Sequence, residues 1–372
     1  MLERKAQKPM LESGNFTSIL RHKMPFATIT TRDETMLAWI AAHVAPAFGV
    51  SAEAISVTPA SVDASFRRYF RLALPNGETR VLMDAPPEKE DSRPFVQVAQ
   101  LFAAAGIPAP AVEKADLEQG FLLLSDLGRV DYLAALQATP ELADTLLRPA
   151  LDLLLRWQTA TRPGVLPPYD ESLLRRELNL FPEWCMGRHF NSPPEAAEET
   201  ALAKIFAALV RAALEQPRVF VHRDFMPRNL MLLEQGVVIT PAVLDFQDAV
   251  EGPITYDVVS LLRDAFISWE EEQELDWVIR YWEKARATDL LVHADFGDFW
   301  RAYEWMGLQR HLKVLGIFCR LHYRDGKSRY LADLPRFIGY VRKTAGRYGE
   351  LKPLLAIFDR LEEKMPTTRY SF

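Results

Sequence analysis

The stretch FVHRDFMPRNLMLLEQGVVITPAVLDFQD, from Phe220, sets Asp224 and, five residues on, Asn229 before one apolar segment and places Asp245 after the next. Phosphoryl transfer asks little covalent chemistry of a protein: cations must neutralise the phosphates, and a carboxylate must orient and deprotonate the accepting hydroxyl. The run HRDFMPRN has the H-x-D-x-x-x-x-N spacing of a loop whose Asp is the base and whose Asn amide oxygen binds magnesium. A second carboxylate delivered at a strand end bridges metal and phosphates in such sites. This assigns Asp224 as base and Asn229 and Asp245 as Mg2+ ligands, with ATP as donor and with His222 and Asp257 bracing the loop by hydrogen bonds. Each element alone is a weak signal, since an Asp before a turn is usually a turn former. Their order and the apolar spacers between them carry the reading.

Elsewhere the composition narrows the choices. The 372 residues are 49% apolar, enough for a two-lobed unit or two domains with a substantial core. A net charge of −6 disfavours a nucleic-acid partner, which would select a basic face. Cys185 and Cys319 stand far apart and the seven histidines are scattered, so neither a disulfide framework nor a zinc site is indicated. A reducing cytosol and an oxygen-ligated metal are expected. No apolar run reaches the length of a membrane span, and nothing points to an obligate protein partner. Residues 1–28 lack a signal-peptide h-region and read as a poorly ordered extension.

The elements that must position the three residues can be read in outline. Thr31 and Glu34 form a capping-box pair ahead of a helix over 32–46. Residues 54–60, 67–74 and 79–85 read as strands, the last two joined by a turn at Pro75-Asn76-Gly77. A helix over 93–106 and a buried strand over 120–128 follow, and the chain is mainly helical over 129–216 and again from 259. The expectation is an α+β protein: an N-terminal lobe over 29–124 built on a small antiparallel sheet, a hinge at 125–128, and a mainly helical lobe over 129–372.

Only FQDAVEGPITY separates Asp245 from Asp257, which leaves no room for a peptide-binding activation segment, so a small-molecule acceptor is expected. Here the sequence resembles the aminoglycoside/choline kinase superfamily, which shares the protein-kinase-like fold, over about residues 32–350. More narrowly, HRDFMPRNLM, LDFQDAVEGPITYDVVSLLRD, RRELNLFPEW and MGLQRHLKVLGIFCRLHYRDGK resemble the bacterial anomeric kinases of cell-wall recycling, the N-acetylmuramate/N-acetylglucosamine kinases. The resemblance implies formation of a sugar 1-phosphate from ATP. Nucleotide contacts are then expected from Ser65, Arg67 and Arg68 in the loop over 59–70, from Met83, and from Ser125 and Leu127 at the hinge. Alternating arginines can equally well only solvate a strand face. The chain departs from the kinase pattern in two places: PASVDASFRRYF contains no glycine, and Met83 stands where the phosphate-binding lysine is expected, with Gln97 near the place of its glutamate partner. Lys89, Arg67 or Arg68 would then supply the missing charge, or the chain would be a nucleotide-binding pseudokinase.

For the acceptor, seven Lys/Arg lie between Arg301 and Tyr330 against Glu304 and Asp325, interleaved with Trp300, Tyr303, Trp305, Phe318 and Tyr323. Such a face would repel a polycationic aminoglycoside and suit a neutral or anionic sugar. Arg310 is the candidate partner for a lactyl carboxylate, and Glu177 and Glu183 are candidate acceptors for sugar hydroxyls. Aromatic stripes at helical spacing are also what a helix core looks like.

Overall fold

The computed structural model describes residues 30–62, 66–235 and 238–363. The chain forms two compact units, one of residues up to Gln100 together with Pro110–Leu127, the other of Leu101–Ala109 together with Gly128 onward. The expected extension over 1–28 lies outside the described residues.

In the first unit, the Thr30 side chain accepts from the Asp33 N–H at 3.3 Å and the Thr30 N–H donates to the Asp33 carboxylate at 2.8 Å. This capping box sits one residue ahead of the Thr31–Glu34 pair read from the sequence. Helix α1 (Thr31–Trp39) continues through a π-helical turn (Ile40–Val44) into Ala45–Ala47, which contains Pro46. Five strands follow around a helix: β1 (Ser56–Val62), β2 (Arg68–Ala73), β3 (Thr79–Asp84), α2 (Arg93–Ala104), β4 (Val112–Asp116) and β5 (Phe121–Ser125). Their order in the antiparallel sheet is β1-β2-β3-β5-β4. The β2–β3 turn closes with the Leu74 N–H on Glu78 O at 2.9 Å, and Gly77 takes the φ of 86° that this turn needs. Strand period two then puts Phe70, Leu82 and Leu123 side by side across β2, β3 and β5, where they pack with Met36, Trp39 and Ile40 of the opening helix. Strand β4 (VEKAD) is mostly exposed, an edge strand whose polar side chains carry little strand signal.

The second unit contains α3 (Tyr132–Ala138), α4 (Ala143–Thr159), α5 (Glu171–Leu178), a π-helical segment Phe181–His189 and α6 (Ala196–Leu214). Two short ribbons come next: β6 (Arg218–Val221) pairs with β9 (Val250–Pro253), and β7 (Leu230–Gln235) pairs with β8 (Val238–Val243). Helices α7 (Tyr256–Leu262), α8 (Glu271–Arg286), α9 (Phe296–Asp325), α10 (Leu334–Arg347) and α11 (Pro353–Glu362) complete it. The 30-residue α9 is buried over most of its length and packs against α6, α7, α10 and the π-helical segment. Among the described residues, no helix is long and apolar enough to cross a membrane.

Close approach at α9 depends on a missing side chain. A Cβ on Gly316 would lie 2.4 Å from the backbone C and O of Leu180. Because rigid backbone and not a flexible side chain blocks the site, Gly316→Ala should destabilise the protein by about 1–3 kcal/mol, the range for overpacking. Chemical denaturation measures this, and an unchanged midpoint would mean that the two segments separate at little cost.

Candidate active site

Strand β6 is buried from Val219 to Val221, and the chain then turns sharply into the loop. Asp257, in the first turn of α7, takes the His222 N–H on one carboxylate oxygen at 2.6 Å and the Arg223 N–H on the other at 3.0 Å. Burial pushes the Asp257 carboxyl up to about 7, while the two N–H donors and the nearby Arg310 guanidinium pull the other way. Between these grips Arg223 adopts φ 76°, a left-handed conformation that a residue with a Cβ holds only when its surroundings enforce it.

The next residue is Asp224, whose N–H donates to His222 Nδ1 at 3.2 Å. With Nδ1 accepting, Nε2 carries the ring proton and donates it to Leu244 O at 3.0 Å. Burial holds the His222 pKa at about 4, although Asp224 and the Leu244 carbonyl favour the charged ring, so the imidazole is neutral. One fixed tautomer therefore joins the loop that carries Asp224 to the residue just before Asp245.

A second tie runs through Asn229, in the 3-10 turn Pro227–Asn229. Its amide N–H group donates to Asp224 O at 2.9 Å and reaches Asp245 Oδ2 at 3.5 Å, while its backbone carbonyl accepts the Leu244 N–H at 2.8 Å. Asp245 follows β8 with φ 61°, and its Oδ1 accepts from Gln247 Nε2 at 2.8 Å. With the Asn229 amino group engaged by the loop, its amide oxygen and the Asp245 carboxylate form a pair of hard oxygen donors. Magnesium takes one or two such protein ligands and completes its shell with phosphate and water. The donor set fits that ion, and among the described residues no cluster of three or more His, Cys, Asp or Glu offers an all-protein metal cage.

Glu177, read from the sequence as a sugar acceptor, is placed differently. It is 5% exposed and accepts from Arg223 Nη2 at 2.5 Å, Lys313 Nζ at 3.0 Å, Gln309 Nε2 at 3.3 Å and the Tyr169 hydroxyl. Burial raises its carboxyl, but Lys313, Arg223 and Tyr169 outweigh that and hold it at about 2. Its lone pairs are already occupied, so the assignment to sugar hydroxyls is corrected. Arg310 is 3% exposed on α9, where its guanidinium lowers the carboxyls of Asp257 and Asp264. Among the described residues its Nη1 is buried without a hydrogen-bond partner, so the expectation that it meets a lactyl carboxylate stands as a proposal. Tyr303, Trp305 and Phe318 are buried core residues, which corrects their reading as a sugar platform, while Glu183 is exposed on the π-helical segment.

In the first unit, Ser65 lies outside the described residues. Arg67 pairs with Glu90 at 3.0 Å, and Arg68 pairs with Asp33 at 2.8 Å and Asp84 at 2.5 Å. Arg68 is thus drawn to the face that carries Phe70 and Leu82, where it ties β2 to β3 and the helix cap, a structural bond where a phosphate contact was expected. Lys89 lies over the Phe66 ring at 5.0 Å, and Gln97 is exposed on α2. Met83 is buried in β3, the Ser125 hydroxyl accepts the Ala111 N–H at 2.9 Å, and Leu127 is half-buried. Sequence reasoning passed over Arg223, Tyr169 and Lys313. Arg223 had a signal in its place beside Asp224, whereas Lys313 looked like one more cation on a basic helix.

The chain is similar to known kinases. The chain is 54% identical over 296 residues to the N-acetylmuramate/N-acetylglucosamine kinase of Pseudomonas aeruginosa, covering 80% of this chain and 86% of that one. It is 49% identical over 315 residues to the protein of the same name from Neisseria meningitidis, covering 84% and 92%. Among solved structures, the ethanolamine kinase of Plasmodium vivax superposes with a TM-score of 0.61 at 10% identity, covering 90% of this chain and 96% of that one. The ADP-bound aminoglycoside phosphotransferase APH(2'')-Ib superposes with a TM-score of 0.53 at 14% identity, covering 81% and 96%. These establish the kinase-like α+β fold, and since residues 56–291 match the profile of the phosphotransferase enzyme family, with the loop of Asp224 and the strand end of Asp245 inside the match, the chain belongs to that family.

Proposed function

We propose that the protein transfers the γ-phosphoryl group of ATP to the anomeric hydroxyl of N-acetylmuramate and N-acetylglucosamine, giving the sugar 1-phosphate in the cytoplasmic recycling of cell-wall sugars. The observation that carries the chemistry is the bracing of Asp224, Asn229 and Asp245 into one hydrogen-bonded group. The sugar rests on the names of relatives aligned over most of their length.

Asp224 orients the accepting hydroxyl and takes its proton late in the transfer, a modest demand because an anomeric hydroxyl is more acidic than an ordinary alcohol. His222 is neutral and donates its one proton to Leu244 O, so it leaves Asp224 as the proton acceptor. Asn229 and Asp245 would hold Mg2+, which when bound neutralises the phosphate oxygens. Arg223 and Asp257 keep the loop in its strained shape, so the base is aimed before substrate arrives. No covalent phosphoenzyme is required.

Sugar-dependent release of ADP tests the activity, and nucleotide binding without turnover would instead mark a pseudokinase lacking the β3 lysine. Regiochemistry has its own test. The methyl glycoside of N-acetylglucosamine carries no proton on its anomeric oxygen, so it should compete with the free sugar and accept no phosphate. Phosphorylation of that glycoside would move the reaction to another hydroxyl.

A further inference from the structure

The chemistry of transfer does not itself require the buried charges gathered at Glu177. Three elements converge there: α5 supplies Glu177, α9 supplies Lys313 and Gln309, and the loop supplies Arg223. Lys313 also donates to the Tyr256 hydroxyl at 2.8 Å, on the residue beside Asp257. Arg223 is therefore gripped twice, by Asp257 on its backbone N–H and by Glu177 on its guanidinium. Two cations facing one buried carboxylate is a costly arrangement unless every partner stays in place.

We infer that Glu177 and Lys313 are positioning residues that aim the Asp224 carboxylate by acting through Arg223. The inference rests on the reading of Asp224 as the base. The left-handed φ of Arg223 sets the direction in which the next residue's side chain leaves the backbone, and that φ persists only while its surroundings over-determine it. If the guanidinium loses Glu177, or if Glu177 is no longer held by Lys313, Arg223 can relax toward negative φ and swing Asp224 off the acceptor. A misplacement of about 1 Å is enough to cost about 100-fold in rate. Binding of nucleotide and sugar should then be largely preserved.

Steady-state kinetics on Glu177→Gln, Lys313→Met and Lys313→Arg, with thermal denaturation of each, test this. Glu177→Gln and Lys313→Met should lower kcat by about 10–100-fold with both KM values within about 2-fold, and Lys313→Arg should recover most of the loss. A raised sugar KM at unchanged kcat would make Glu177 a sugar contact and overturn the proposal. A lowered melting temperature with unchanged kcat per folded molecule would also overturn it, leaving a purely structural cluster. If Glu177→Gln does not fold, Tyr169→Phe, which removes only one hydroxyl donor from Glu177, should lower kcat several-fold at constant KM, and wild-type kcat there would count against the proposal. Asp224→Asn, assayed in parallel, keeps the two readings apart: wild-type turnover in that variant would remove the base assignment whatever the Glu177 variants show.

Discussion

Asp224→Asn is expected to leave a folded protein that still binds ATP and to lower turnover by about 10²–10⁴-fold, the contribution of a positioned general base. The geometry explains why fold and chemistry should separate so cleanly. The bonds that fix residue 224 are made by its backbone, the N–H to His222 Nδ1 and the carbonyl to Asn229 Nδ2. An amide side chain of the same shape leaves both intact and removes only the proton acceptor. Single-turnover ADP formation, with nucleotide affinity measured on the same sample, checks this. Turnover equal to wild type would mean that another group takes the proton.

Arg263→Met should destabilise the second unit by about 3–5 kcal/mol, the cost of breaking a buried ion pair from one side. The Arg263 side chain is 1% exposed, with Nε on Glu274 at 2.6 Å and Nη2 on Glu304 at 3.4 Å. Glu304 would keep Arg347 at 2.5 Å and the Tyr348 hydroxyl at 2.7 Å. Glu274 would keep the Tyr303 hydroxyl at 2.8 Å, a neutral partner inside the helical core. The penalty therefore falls on Glu274, and replacing Glu274 by Gln in the same molecule should restore part of the loss. Urea denaturation with an unchanged m-value reads the effect, and a loss under about 1 kcal/mol would show that water reaches the site.

Asp224, Asn229 and Asp245 were legible because their spacing is local: one loop and one hairpin deliver all three, and the apolar strands between them are visible in the sequence. The sheet was legible through strand alternation and the Pro75-Asn76-Gly77 turn. Edge strand β4 was not, because its solvent-facing residues need no apolar pattern. Glu177 was misjudged for a different reason. A charge on a helix with mixed faces gives no sign of whether it meets water or a buried partner, and the partner of Glu177 on α9, Lys313, lies 136 positions away in the chain. The helix cap was misplaced by one residue because Thr30 and Thr31 are equally able to cap, and Asp33, already committed to Arg68, decides between them.

The positive φ angles at Arg223 and Asp245 bear on how this protein can change over generations. Each costs of order 1–3 kcal/mol of backbone strain, which glycine would relieve. Glycine would also delete the guanidinium that meets Glu177 or the carboxylate that faces Asn229. Selection for thermal stability alone would favour glycine at Asp245 but not at Arg223, whose loss would leave the buried Glu177 short of a cation, and selection for turnover opposes both. Stabilised descendants of this chain should therefore accumulate their changes elsewhere, on helix surfaces and loops, and retain both residues, Asp245 at a standing loss of stability.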